Sequence, residues 1–123
     1  MLKGYTLGGA FRGEIVPAWF FPHQAEGIVP LSLRRRRLLG GDRPGHGREH
    51  LPRLDRATLA PLGSFRGRAV LNTDGVALTQ AAFPGFAAGS FLAVHDDGNV
   101  AAFRWEDVAS SLGLRSDCVE QAD

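Results

Sequence analysis

The chain of 123 residues has one cysteine, Cys118, so no disulfide can form within it. Cys118 lies among charges near the C-terminus and is expected to be an exposed thiol in a reducing compartment, without a redox or nucleophilic role. Lysine is almost as scarce. Lys3 is the only one, which excludes the glycine-rich phosphate-binding loop that depends on a lysine. The opening MLKGYTLGGAFRGE lacks the apolar centre of a signal peptide, so a cytoplasmic location is expected, or a virion if the chain is phage-encoded. Long helix-compatible stretches are few, because 16 glycines and 7 prolines are spread along the sequence and favour turns.

Long apolar runs are also missing. Residues 75–94 are uncharged over the length of a bilayer span, but they include Thr79, Gln80, Pro84, Ser90 and three glycines. The apolar residues there fall into two short groups. Two strands joined by a loop are expected, with no membrane contact.

The net charge of +1 conceals a division. Residues 33–68 carry ten arginines against Asp42, Glu49 and Asp55, a net of +7, whereas residues 69–123 carry a net of −6. Either the two regions neutralise each other, within the fold or across an oligomer, or the basic one binds an external polyanion. Neutralisation within the fold or by a partner is the expectation, since a dedicated nucleic-acid binder usually keeps an uncompensated basic excess. Thirteen of the fourteen basic residues are arginine, a bias that a GC-rich genome, bacterial or phage, produces without any chemistry attached.

Three turn signals organise the chain: Gly8-Gly9, the run Asn72-Thr73-Asp74-Gly75, and Asp97-Gly98 inside FLAVHDDGNVAAF. Taking Asp97-Gly98 as a two-residue loop pairs Asp96 with Asn99, Val94 with Ala101 and Leu92 with Phe103 on an apolar core face. His95 would then face Val100, and Phe91 would face Arg104 in a cation–π contact. After Trp105, EDVASSLGL predicts a short helix with Glu106 and Asp107 in its first turn and Gly113 near its end. Pro17 and Pro30 mark edge or bulged strands, and the stretch between Pro52 and Pro61 is compatible with one or two helical turns. The fold expected is mainly β: a small antiparallel barrel or roll of hairpins with a short C-terminal helix. It forms one domain over 1–114, with an Arg-rich edge strand and loop insertion at 31–64 and an acidic tail at 115–123.

Arg34, Arg35, Arg36 and Arg37 stand in a row between leucines. Four unpaired guanidinium groups cannot enter an apolar interior, so the segment must leave the sheet or run along its edge, with a loop from Gly40-Gly41 to His50. These four, with Arg43 and Arg48, are the candidate partner-binding residues. An acidic protein surface or a second copy of the chain is the expected partner. Nucleic-acid phosphate is the alternative, ranked lower because residues 34–64 contain no aromatic side chain to stack on bases.

Reaction chemistry is weakly signalled. His46 and His50 have i, i+4 spacing, but Gly45 and Gly47 disfavour a helix and no further ligand completes a zinc set, so no metal or other cofactor is expected. Gly89-Ser90 lacks the second glycine of a nucleophile elbow, and His95 beside Asp96 and Asp97 reads as turn chemistry. The segments FRGEI (11–15) and GRAVLNTD (67–74) resemble strands of the small ribosome-independent toxin endoribonucleases with an SH3-like barrel, although comparable segments lie much closer together in that family. The resemblance assigns no residue a role. The function expected is that of a non-enzymatic assembly or protein-interaction protein docking through strand edges and an Arg-rich surface. A small hydrolase or nuclease using His46, His50 or His95 is a further alternative.

Overall fold

The computed structural model describes residues 1–21, 27–32, 37–41 and 50–116, and among them the chain is mainly antiparallel β with one short helix. The Gly8-Gly9 signal closes the first hairpin, in which β1 (Leu2–Tyr5) pairs with β2 (Phe11–Val16). Gly9 supplies the positive φ there, at 84°, and Thr6 caps the turn by accepting the Ala10 N–H on its hydroxyl. Pro17 ends β2, and a 3-10 turn at Ala18–Phe20 carries Phe20 and Phe21 onto Val16 and Leu54.

Four strands follow in a sheet ordered as in sequence: β3 (Ile28–Ser32), β4 (Arg37–Gly41), β5 (Leu51–Asp55) and β6 (Pro61–Phe65). Pro30 lies on the edge strand β3, as its missing donor requires. The segment entered through the arginine run does not occupy an edge: β4 is interior, between β3 and β5. Residues 33–36, where the exit from the sheet was expected, lie outside the described residues. The helical turns expected between Pro52 and Pro61 are instead the β5–β6 hairpin. Asp55 makes that turn by accepting the N–H groups of Ala57 and Thr58 and the Thr58 hydroxyl on Oδ1. Pro52 is tolerated because, among the described residues, the β4–β5 ladder pairs Arg53 to Asp55 and asks no donor of Pro52.

A three-stranded sheet holds β7 (Val76–Thr79), β8 (Ser90–His95) and β9 (Asn99–Arg104), followed by α1 (Trp105–Ser111). The uncharged stretch 75–94 is thus two strands and a loop, and among the described residues no helix is long and apolar enough to cross a membrane. The β8–β9 register differs from expectation by one residue. Asp96 and Asp97 both take positive φ (49° and 54°), and the Gly98 N–H returns to the His95 carbonyl, making a three-residue loop. His95 therefore pairs with Asn99 and Phe91 with Phe103. A slip of one residue exchanges the faces: Phe91 and Ala93 are buried, while Leu92 and Val94 are only half-buried. The expected contact of Arg104 with Phe91 is not formed; another arginine takes that ring.

The helix forms as predicted, with Glu106 and Asp107 in its first turn and Gly113 at φ 62° behind it. It buries Trp105, Val108 and Ala109 against Leu31 and Ala88. A second cluster joins Leu51 and Val70 to Phe91 and Ala93, and Phe65 and Phe103 touch both clusters. Each fully buried side chain of this size contributes roughly 2 kcal/mol.

Gln80 links the two larger sheets. Its carboxamide oxygen accepts the Ser32 N–H at 2.9 Å and its NH₂ donates to the Ser32 carbonyl at 2.7 Å, so one side chain occupies the edge of β3 as a neighbouring strand would. Replacing Gln80 by leucine keeps the volume but orphans both backbone groups. A loss of about 2 kcal/mol is expected, read as a lower urea midpoint at unchanged slope. No sheet closes into a barrel among the described residues.

Candidate functional site

Gln80, at the end of β7, bonds the β3 edge at Ser32. On the other side of the two larger sheets β6 and β9 are the outermost strands, each paired on one side among the described residues, as β1 and β2 are in the first hairpin. They flank a groove of about 760 Å³, with Ser64 to Arg66 on one wall, Ala102 to Arg104 on the other, and Asp107, Val108 and Ser111 of α1 alongside. The Trp105 N–H donates to the Gly89 carbonyl, which fixes the alternation along β9. Residues 101 and 103 turn their backbone groups toward β8, and residues 102 and 104 turn theirs outward. The Ser90 hydroxyl, which donates to the Phe103 carbonyl from the β8 side, agrees with this parity.

Phe65 and Phe103 meet edge to face, 5.4 Å between ring centroids, in the groove. Arg66 and Arg104 stand exposed at its mouth, and neither has an ion-pair partner among the described residues. Asp107 is the carboxylate on the same lining.

Arg53 is 1% exposed on the interior strand β5. Its guanidinium carbon lies 4.6 Å from the ring centroids of both Phe65 and Phe91 and 5.8 Å from that of Trp105. Nη1 donates to the Pro52 carbonyl at 3.2 Å, whereas Nη2 has no partner among the described residues. Burial pushes its pKa down to about 10. The aromatic faces offset part of that burial, each by up to about 2 kcal/mol when desolvated. Sequence reading missed Arg53. The available signal was the alternation of Leu51, Arg53 and Asp55 in a strand-length segment, obscured by Pro52 within it.

Of the residues expected to bind a partner, Arg34, Arg35, Arg36, Arg43 and Arg48 lie outside the described residues, as does His46. Arg37 begins β4, its backbone paired with Ser32, and its side chain lies outside the described part. His95 uses Nδ1 to accept the Leu71 N–H at 3.1 Å, so it clamps the 66–75 connection to the tip of β8. Asp96 reinforces that clamp by accepting from the Asn72 side chain at 3.0 Å. Asp97 shares a hydrogen bond with Asp74, and this bond together with the neighbouring charge holds its pKa above the ordinary value. His50 Nδ1 lies 3.4 Å from Ser64 Oγ, a long contact between neighbouring strands, and Ser64 sits in β6 next to the register irregularity at Gly63 (φ 131°), not on a strand-to-helix turn. Among the described residues no group of three or more His, Cys, Asp or Glu side chains is placed to hold a metal ion.

No protein-family model, no curated protein and no solved structure matches this chain.

Proposed function

We propose that this chain is a non-enzymatic protein-interaction module that accepts an extended segment of a partner protein along the groove between β6 and β9. The observation that carries the reading is the pairing of two open strand edges with one groove, where the outward backbone groups of Ala102 and Arg104 are ready for strand addition. In this reading the two larger sheets form an open roll whose seam is the groove, and Gln80 holds the opposite side together. The arginine run at Arg34–Arg37, with Arg43 and Arg48, adds long-range attraction toward an acidic partner surface.

Proline substitution tests the reading, because the two faces of β9 respond differently. Ala102→Pro removes an outward N–H and is expected to leave the β8–β9 ladder intact. Ala101→Pro removes a ladder donor and is expected to destabilise the fold. Peptides selected from a random display library on the immobilised wild-type protein should lose binding to folded Ala102→Pro. Selected peptides that bind Ala102→Pro as well as wild type would remove strand addition from the account. Covalent labelling of Ser64 by a fluorophosphonate would instead make Ser64 and His50 a nucleophile and its base.

A further inference from the structure

We propose that the groove selects a strand bearing a carboxylate, an inference that rests on the strand-addition reading and names the chemistry of the partner segment. Three guanidinium groups set the local field. Arg66 and Arg104 stand at the mouth without ion-pair partners among the described residues, and Arg53 lies beneath. Phe65 connects the levels: its ring touches the Arg53 guanidinium, packs on Phe103 and lines the groove. Arg53 has no carboxylate partner among the described residues, and Nη2 has no hydrogen bond there.

A positive charge buried without a counter-ion is poorly screened, so its potential extends through the aromatic layer into the groove. A carboxylate on a strand lying there meets this potential along with the two exposed arginines, and a lysine at the same place meets repulsion. Asp107 on the α1 wall lowers the potential on that side, so the carboxylate belongs toward Arg66 and Arg104. The open edge favours a peptide over a nucleic acid, because outward N–H and C=O groups pair with another backbone. Each aromatic ring of the lining already has a partner within the fold: Phe65 with Arg53 and Phe103, and Phe86 stacked on Phe83.

The test uses three fluorescein-labelled heptapeptides of alternating valine and threonine, identical except for a central aspartate, asparagine or lysine. Fluorescence anisotropy with the full chain is expected to rank them aspartate, asparagine, lysine, with about tenfold between the first two. Arg53→Met, checked for folding by circular dichroism, should reduce that preference to about threefold while retaining the asparagine peptide. The surface variant Arg66→Gln with Arg104→Gln, which carries no folding risk from the core, should reduce it as well. Equal binding of all three peptides would overturn the charge selection and leave strand addition standing. No binding of any of them at millimolar concentration would overturn both. An oligothymidylate that binds the wild type and is lost in the double variant would assign the arginines to phosphate and overturn the proposal.

Discussion

Gly89→Ala is expected to abolish the folded state, whereas Gly85→Ala leaves the protein folded and weaker by about 1 kcal/mol. The two glycines have nearly the same backbone, φ 85° and 84°, so the conformational penalty of a side chain is common to both. They differ in what surrounds them. A Cβ at Gly85 meets nothing within 4 Å, while one at Gly89 overlaps the Thr79 carbonyl oxygen and lies 2.8 Å from the Gln80 Cα. The obstruction is backbone, which no rotamer change relieves. Gly89 cannot move away either, because its N–H donates to the Phe86 carbonyl and its own carbonyl accepts the first N–H of α1, that of Trp105. Displacing Gln80 also breaks the link to Ser32 between the sheets. The cost should exceed about 4 kcal/mol, a large share of the stability of a domain this size. Urea titration of the two variants side by side checks it. Similar midpoints would mean that the chain does not approach Gly89 as closely as described.

Local signals in the sequence carried as far as local physics decides the outcome. Gly8-Gly9 and the acidic first turn of α1 are short-range devices, and both stand where the pattern puts them. The β8–β9 hairpin was legible as a hairpin but not in register. Asp96 and Asp97 tolerate positive φ almost as glycine does, so the sequence admits a two- or a three-residue loop, and tertiary burial of Phe91 favours the latter. The groove had no linear signature. Its walls come from residues 64–66, 86 and 102–111, and whether a strand lies on an edge is a property of sheet order that no segment encodes alone. Arg53 shows the same limit from the other side. An arginine in a sequence rich in arginine reads as surface, and only the convergence of Phe65, Phe91 and Trp105 from three separate elements makes its burial tolerable.

Arg53→Met is expected to stabilise the protein by about 1–3 kcal/mol at neutral pH. Burial lowers the folded-state pKa of Arg53 from the ordinary arginine value to about 10, which corresponds to about 3 kcal/mol of penalty on the charged form. Methionine fills a similar volume, carries no charge to desolvate and keeps favourable sulfur contacts with the rings. The pH dependence gives the sign an independent check. Above about pH 10, and until the ordinary arginine range is reached, the unfolded chain holds a proton on this residue that the folded chain has released, so wild-type stability rises with pH through that window. The penalty is fully present below pH 10 and fades above it. The advantage of Arg53→Met should therefore be constant from pH 7 to 9 and shrink by pH 11, read from paired urea titrations. A variant less stable than wild type by more than about 2 kcal/mol at pH 7 would mean that the aromatic contacts outweigh desolvation, making Arg53 a structural cation. The expected gain would instead mean that the fold tolerates a cost at Arg53, as the proposed role of this residue in the field of the groove requires.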